Sequence, residues 1–183
     1  MTYNSSSPFV TTLPIASTDS GINPPGYANV GTTTVIPTPP LALGQIVQAI
    51  DSTYGSGEFI LLLGVTSTVV GSMVTYNATT YQTALSANTA GTGAPFAFAM
   101  AACTTGLYGW YQIAGLAVAK KTAVAVSPQV AIYQSGTTGR VMATAASGKQ
   151  IVGARTANLT SVTATTSTVV LLINRPHNTG III

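Results

Sequence analysis

An all-β fold, either a single barrel or a sandwich, follows from two features of this sequence. Short runs rich in Val, Ile, Thr, Tyr and Phe recur at about 8–12-residue intervals. Gly-containing turn segments punctuate them from residue 55 to residue 180. The composition agrees: 46% of the 183 residues are hydrophobic and only 5% are charged, where about 25% charged is ordinary. A disordered chain combines the opposite traits. The length suits one domain, residues 45–183, preceded by an extended Pro-rich arm, residues 1–44.

The arm carries Pro8, Pro14, Pro24, Pro25, Pro37, Pro39 and Pro40, seven of the ten prolines. They remove backbone donors and bias their predecessors to extended conformations, so regular helix is not expected there. Hydrophobic residues recur along the same stretch, unlike a purely solvated leader. Phe9, Val10, Leu13, Ile15, Tyr27 and Val35 are therefore the candidate contacts through which the arm straps onto a neighbouring subunit.

Leu41 to Tyr54 fits a helical stripe of Ile46, Val47 and Ile50, or a strand from Gln45 to Ile50; periodicity leaves both open. Gly55-Ser56-Gly57 reads as a turn, and Glu58 to Val65 as a buried strand. Val69 to Tyr76 and Thr79 to Thr83 form a hairpin turning at Asn77-Ala78. Ala87 to Pro95 is a loop, and Phe96 to Met100 alternates bulky and small residues as a strand does against a crowded neighbour.

Tyr108 to Lys121 is the central strand. It holds the single Trp and no charge before Lys120. Alternation places Trp110, Gln112, Ala114, Leu116 and Val118 on one face and Tyr111, Ile113, Gly115, Ala117 and Ala119 on the other. Neither face is polar, so both should be covered. Gly115 in mid-strand predicts a bulge, a bend or a close backbone approach. Beyond it lie Val124–Val126, Val130–Tyr133, Arg140–Thr144 and Ile151–Ala154. A last strand, Thr168–Ile173, is expected to stop at Asn174-Arg175-Pro176. The apolar tail Gly180–Ile183 is a candidate to dock on a sheet edge.

Charge is asymmetric. Asp19, Asp51 and Glu58 lie in the first third, whereas every Lys and Arg lies beyond position 119. The basic residues are too scattered for a nucleic-acid footprint. No basic-then-apolar leader and no apolar run of about 18 residues is present, so neither a signal peptide nor a membrane span is expected. Cys103, the single cysteine, reads as a small buried hydrophobe.

Chemistry is sparse. His177, the one histidine, has no partner in its neighbourhood and reads as a loop residue. Asp51 and Glu58 stand seven apart across a glycine turn, a spacing that defines no carboxylate geometry. Gly55-Ser56-Gly57 and Gly91-Thr92-Gly93 lack the Lys and helix start of a phosphate loop. The expectation is a non-enzyme with no catalytic residues, no cofactor and no metal site.

Several blocks, taken in order, carry a resemblance. They are Asp51 through Val65, Gly71-Ser72-Met73-Val74-Thr75-Tyr76, Ala99-Met100-Ala101, Tyr108 through Gly115, and Arg175-Pro176. Together they resemble the capsid decoration, or cement, proteins of tailed bacteriophages, over about Gln45 to Pro176. The chain departs from that pattern at Leu63, where a charge usually precedes the glycine, and in its low charge throughout; the arm lies outside the resemblance. The resemblance implies a non-enzymatic virion protein, made in the host cytoplasm and bound to the outer surface of the head. It further implies a clamp across joints between major capsid protein subunits, most often as a homotrimer. The alternative is a phage fibre or adhesin module that binds host-surface carbohydrate, for which Tyr and Trp exposed in a pocket would speak.

Overall fold

A computed structural model describes residues 12–15, 42–51 and 53–180. These residues form an all-β structure with no helix: a curled, mostly antiparallel half-barrel sheet of eleven strands. The strands are β1 (Thr12–Ile15), β2 (Ile46–Asp51), β3 (Gly55–Leu63), β4 (Met73–Tyr76), β5 (Thr83–Leu85) and β6 (Phe96–Ala99). They continue with β7 (Tyr108–Lys120), β8 (Ala131–Gln134), β9 (Val141–Met142), β10 (Gln150–Thr156) and β11 (Thr168–Asn178).

The main path runs β1-β2-β3-β7-β11-β10-β8-β9, and β4, β5 and β6 branch from it. β7 is the hub. Its first half pairs with β3 and β6, placing Phe59 and Phe98 opposite Gln112, while its second half pairs with β11 from Ala114 to Lys120. The curl brings the far end of the path back to this hub. Val141 of β9 bridges Lys121, and the Thr122 N–H donates to the Val141 carbonyl at 3.0 Å. Gly71, just before β4, accepts from the Lys120 N–H at 2.8 Å. β1 adds in parallel at the opposite end of the path, with Leu13 facing Ala49 and Ile15 facing Asp51 in register.

The core lies on both sides of β7. Phe96, Phe98 and Met73 pack with Ala117, Ala119, Ile132, Ile151, Leu171 and Ile173 inside the curl. Phe59, Leu61 and Trp110 form a second cluster, and Ile60, Leu62, Val74, Tyr111, Ile113 and Cys103 a third on the opposite face. Cys103 is buried, as expected.

Gly115 makes the expected bulge. Its φ is +96°, and β7 inserts Ile113 between the residues facing Glu58 and Phe59. A Cβ on Gly115 would sit 2.6 Å from the Ser56 carbonyl oxygen. The bulge also overturns strict alternation along β7. Phe98, level with Gln112, shares its core with Ala117 and Ala119, so the inward set passes from even to odd positions at the bulge. An inserted residue shifts a period-2 pattern by one.

Other boundaries differ from expectation. Residues 46–51 are a strand. Gly55 to Gly57 are not a turn but the start of β3, paired with Ala49, Ile50 and Asp51, and the turn falls at Thr53-Tyr54. Strand β4 begins at Met73 rather than Val69. Its partner β5 begins at Thr83, because the Asn77 side chain accepts from the Thr79 and Thr80 N–H groups and holds the turn open to Gln82. Val124 to Val126 form no strand; Val126 makes a lone bridge to Val162. β11 does not stop at Asn174-Arg175-Pro176 but continues to Asn178, and His177 lies in it rather than in a loop. Of the expected tail contact, Gly180 bridges Thr92, while Ile181–Ile183 lie outside the described residues.

Candidate functional site

Three adjacent strands are irregular at one level of the sheet. β7 bulges at Gly115, β10 bulges at Gly153 (φ +78°), and β11 turns through Arg175 at φ +44°. Register places these together: Gly115 faces Ile173, Asn174 faces Ala114, and Gly153 falls between the positions paired with Ile173 and His177. A Cβ on Gly153 would stand 2.5 Å from the Asn174 carbonyl oxygen, so this row of bulges is also a close approach of backbones. Bulges bend the strand that carries them, and the row creases the sheet. A non-glycine residue in the left-handed region costs about 1–2 kcal/mol; Arg175 lies there between the paired residues Asn174 and His177.

The crease places charged and planar polar side chains on the face that carries Ile60 and Ile113. Gln48 stands opposite Glu58 in the β2–β3 ladder. The Glu58 carboxylate accepts from the Arg175 guanidinium at 3.1 Å, with the arginine side chain 64% exposed. An ion pair this open contributes about 0–1 kcal/mol, so its main effect is to set the direction of both side chains. It is also a contact between the acidic front and the basic back of the sequence, made within one chain.

Two tyrosines lie on the same face, Tyr76 within electrostatic reach of Arg175 and Tyr81 by Tyr76. Tyr76 and Tyr81 are half-buried and pack on the cluster of Ile60 and Ile113. Burial raises the Tyr76 phenol above its usual pKa, Arg175 opposes that shift, and Tyr81 adds to it. Tyr81 has φ +56°, rare for a bulky residue. Its N–H donates to the Asn77 carbonyl at 2.8 Å and its carbonyl accepts from the Leu63 N–H at 3.0 Å. Its ring lies over Gly44, where any Cβ would collide with it.

Two shallow depressions follow the crease. One, of about 220 Å³, is lined by Gln48, Ser56, Gly57, Glu58, Ala114 and Gly115. The other, of about 320 Å³, is lined by Gly153, Ala154, Arg155, Leu172, Ile173 and Asn174. Asn174 joins them through its neighbour Arg175, the partner of Glu58.

The residues singled out from the sequence lie elsewhere. Leu13 and Ile15 belong to β1, at the end of the sheet path. Phe9, Val10, Tyr27 and Val35 lie outside the described residues. Trp110 is 1% exposed, packed with Phe59 and Leu61, and is a core residue. Asp51 faces Gly55, three register positions from Glu58, so the two acids do not stand opposite one another. His177 faces Val152, and its ring Nδ1 lies 3.4 Å from the Arg175 carbonyl. Among the described residues no three His, Cys, Asp or Glu side chains gather as metal ligands would. Lys121 is buried, with Nζ donating to the Val124 and Thr122 carbonyls at 2.9 and 3.2 Å, and burial lowers its pKa. Its ammonium ties the 122–124 turn to the end of β7.

Sequence reasoning passed over Gln48, Tyr76, Tyr81 and Arg175. The available signal was Arg175-Pro176, a charge beside a proline just after an apolar run, but it reads equally well as a strand end. Comparison with known proteins finds no matching family model, no matching curated protein and no matching solved structure.

Proposed function

We propose that this chain is a structural virion protein, a decoration or cement protein that binds the outside of a phage head and clamps joints between major capsid protein subunits. The observation that carries the reading furthest is the order and spacing of the sequence blocks that resemble decoration proteins; the pairing of Thr12–Ile15 with β2, made within one chain, is compatible with an arm able to add to a sheet edge. A segment from the Pro-rich arm attaches there to the end of a sheet by backbone hydrogen bonding, the manner in which extended peptides add to exposed edges. Pro14 is compatible with that place, since proline is tolerated on edge strands. One further observation supports it: a composition only 5% charged, which suits a surface largely covered by other subunits.

In this reading the molecule is one barrel domain with an extended arm, assembles as a homotrimer, and acts by binding alone, with no catalytic step and no cofactor. Binding to many joints adds free energy to the assembled head by mass action. An arm that orders on docking loses about 1–2 kcal/mol per residue of backbone freedom. Burial of Phe9, Val10, Leu13, Ile15, Tyr27 and Val35 against a neighbour opposes only part of this cost, at about 1.5–3 kcal/mol each.

The test is a protein beginning at Gln45. It should retain its β-type circular dichroism and bind undecorated heads at least tenfold more weakly than the full chain. Equal binding of the two proteins would overturn the role of the arm. Failure of the full chain to bind heads at all would overturn the whole reading.

A further inference from the structure

We propose that the crease across β7, β11 and β10, with the adjoining edge of β3, is a binding site for a short saccharide. Planar polar side chains that donate and accept in pairs recognise vicinal hydroxyls, and aromatic rings cover the apolar face of a pyranose. Gln48, Glu58, Asn174 and Arg175 supply amide, carboxylate and guanidinium groups on one stretch of this face. Tyr76, half-exposed, lies within electrostatic reach of Arg175, outside the lining of the two depressions, and Tyr81 stands by Tyr76 with its ring over Gly44. The two depressions, about 220 and 320 Å³ and both shallow, suit one or two sugar rings on an open surface rather than an enclosed small molecule.

Three physical features favour a ligand over a merely solvated patch. The Glu58–Arg175 pair places a carboxylate and a guanidinium side by side at 3.1 Å on the open face. Strained backbone falls at the site itself, at Arg175, where a purely structural turn would favour Gly or Asn. The crease is a product of the bulge of β7 and the irregularity that β10 and β11 share, and bulges commonly re-aim side chains beside binding sites. Arg155, at the far end of the second depression, has no acidic partner among the described residues and would receive a carboxylate if the sugar carries one. The proposal does not rest on attachment to heads.

The test is a backbone-amide NMR titration of the full-length protein with millimolar methyl glycosides of glucose, galactose, mannose and N-acetylglucosamine, and with glucuronate. Saturable shifts at Ser56, Glu58, Ala114, Asn174 and Arg175 with at least one sugar are expected. Arg175→Ala and Gln48→Ala should each weaken that sugar at least tenfold. Gln48 is exposed and outside the ion pair, so its variant keeps the test decisive if Arg175→Ala fails to fold. Preference for glucuronate that is lost in Arg155→Ala would identify an acidic saccharide. No saturable shift with any of the five sugars, or shifts unaffected by Gln48→Ala and Arg175→Ala, would overturn the proposal. Neither result bears on the head-binding comparison.

Discussion

Tyr111 is fully enclosed, and its hydroxyl meets no partner at hydrogen-bonding distance and angle. Burial, with Cys103 close by, raises its pKa far above the ordinary phenol value. Burial likewise raises the Cys103 thiol. Both are acids whose folded pKa exceeds the unfolded one, so their neutral forms favour the fold. That contribution is intact below the unfolded values, 9.0 for the thiol and 10.0 for the phenol, and is lost as pH climbs from there toward the folded values. The protein should therefore lose stability steeply above about pH 9–10. Tyr111→Phe removes a buried polar group without removing the ring, so at pH 7 it should be neutral or stabilising by up to about 1 kcal/mol. It should also blunt the alkaline loss. Thermal melts of both proteins between neutral pH and pH 10.5 check this. An unchanged alkaline slope in the variant would show that Tyr111 is not the group responsible.

At the scale of the element, the bulge in β7 decides where the core can be built. Gly115 at φ +96° brings Ser56 and Gly57 against the strand and passes the inward set from Trp110 and Gln112 to Ala117 and Ala119. Gly115→Ala adds both backbone strain and a clash with a main-chain oxygen, which has no flexible end to move aside. It should cost at least about 2 kcal/mol. Gly55 has a similar φ, +75°, but nothing within 4 Å of an added Cβ. Gly55→Ala should cost about 1 kcal/mol from strain alone. Urea unfolding of the two variants separates the effects. Equal losses would mean that the approach of β3 to the bulge contributes nothing. β11 teaches a related lesson: Pro176 sits inside it because the strand is irregular around Arg175, where β10 also bulges, and a ladder broken there no longer demands a donor from every residue.

At the scale of the whole molecule, burial is high around the hub and low on the flanks. Val69, Val70, Val124, Val152, Leu159 and Leu172 are exposed apolar residues, and Leu159 is 97% exposed. With 5% of residues charged, few charges offset this surface. Self-association is the expected outcome, and light scattering on the full chain should give the mass of a trimer. A monomer that persists at high concentration would remove the argument from surface composition and leave assembly to the head alone.

The all-β class was legible in the chain itself. Runs such as Phe59–Leu63 and Thr168–Ile173 have side chains that suit a pleated, buried surface and suit little else, and that preference is local. Tyr108–Lys120 was recognisable as the central strand for the same reason, and Gly115 as a bulge, a bend or a close backbone approach, of which the structure shows the first and the last. What the tertiary structure alone decided was the partner of each local feature. Ile46–Asp51 has a pattern compatible with helix or strand, and the ladder with β3 settles it. Glu58 and Arg175 are 117 residues apart, and no local rule could join them. The crease exists because the bulge of β7 falls at the level of the irregularity that β10 and β11 share, some forty residues later in the chain or more. Register across a sheet is set by which hydrophobic faces find each other, and single-residue insertions then shift it, so a site assembled along such a row is invisible until the strands are paired.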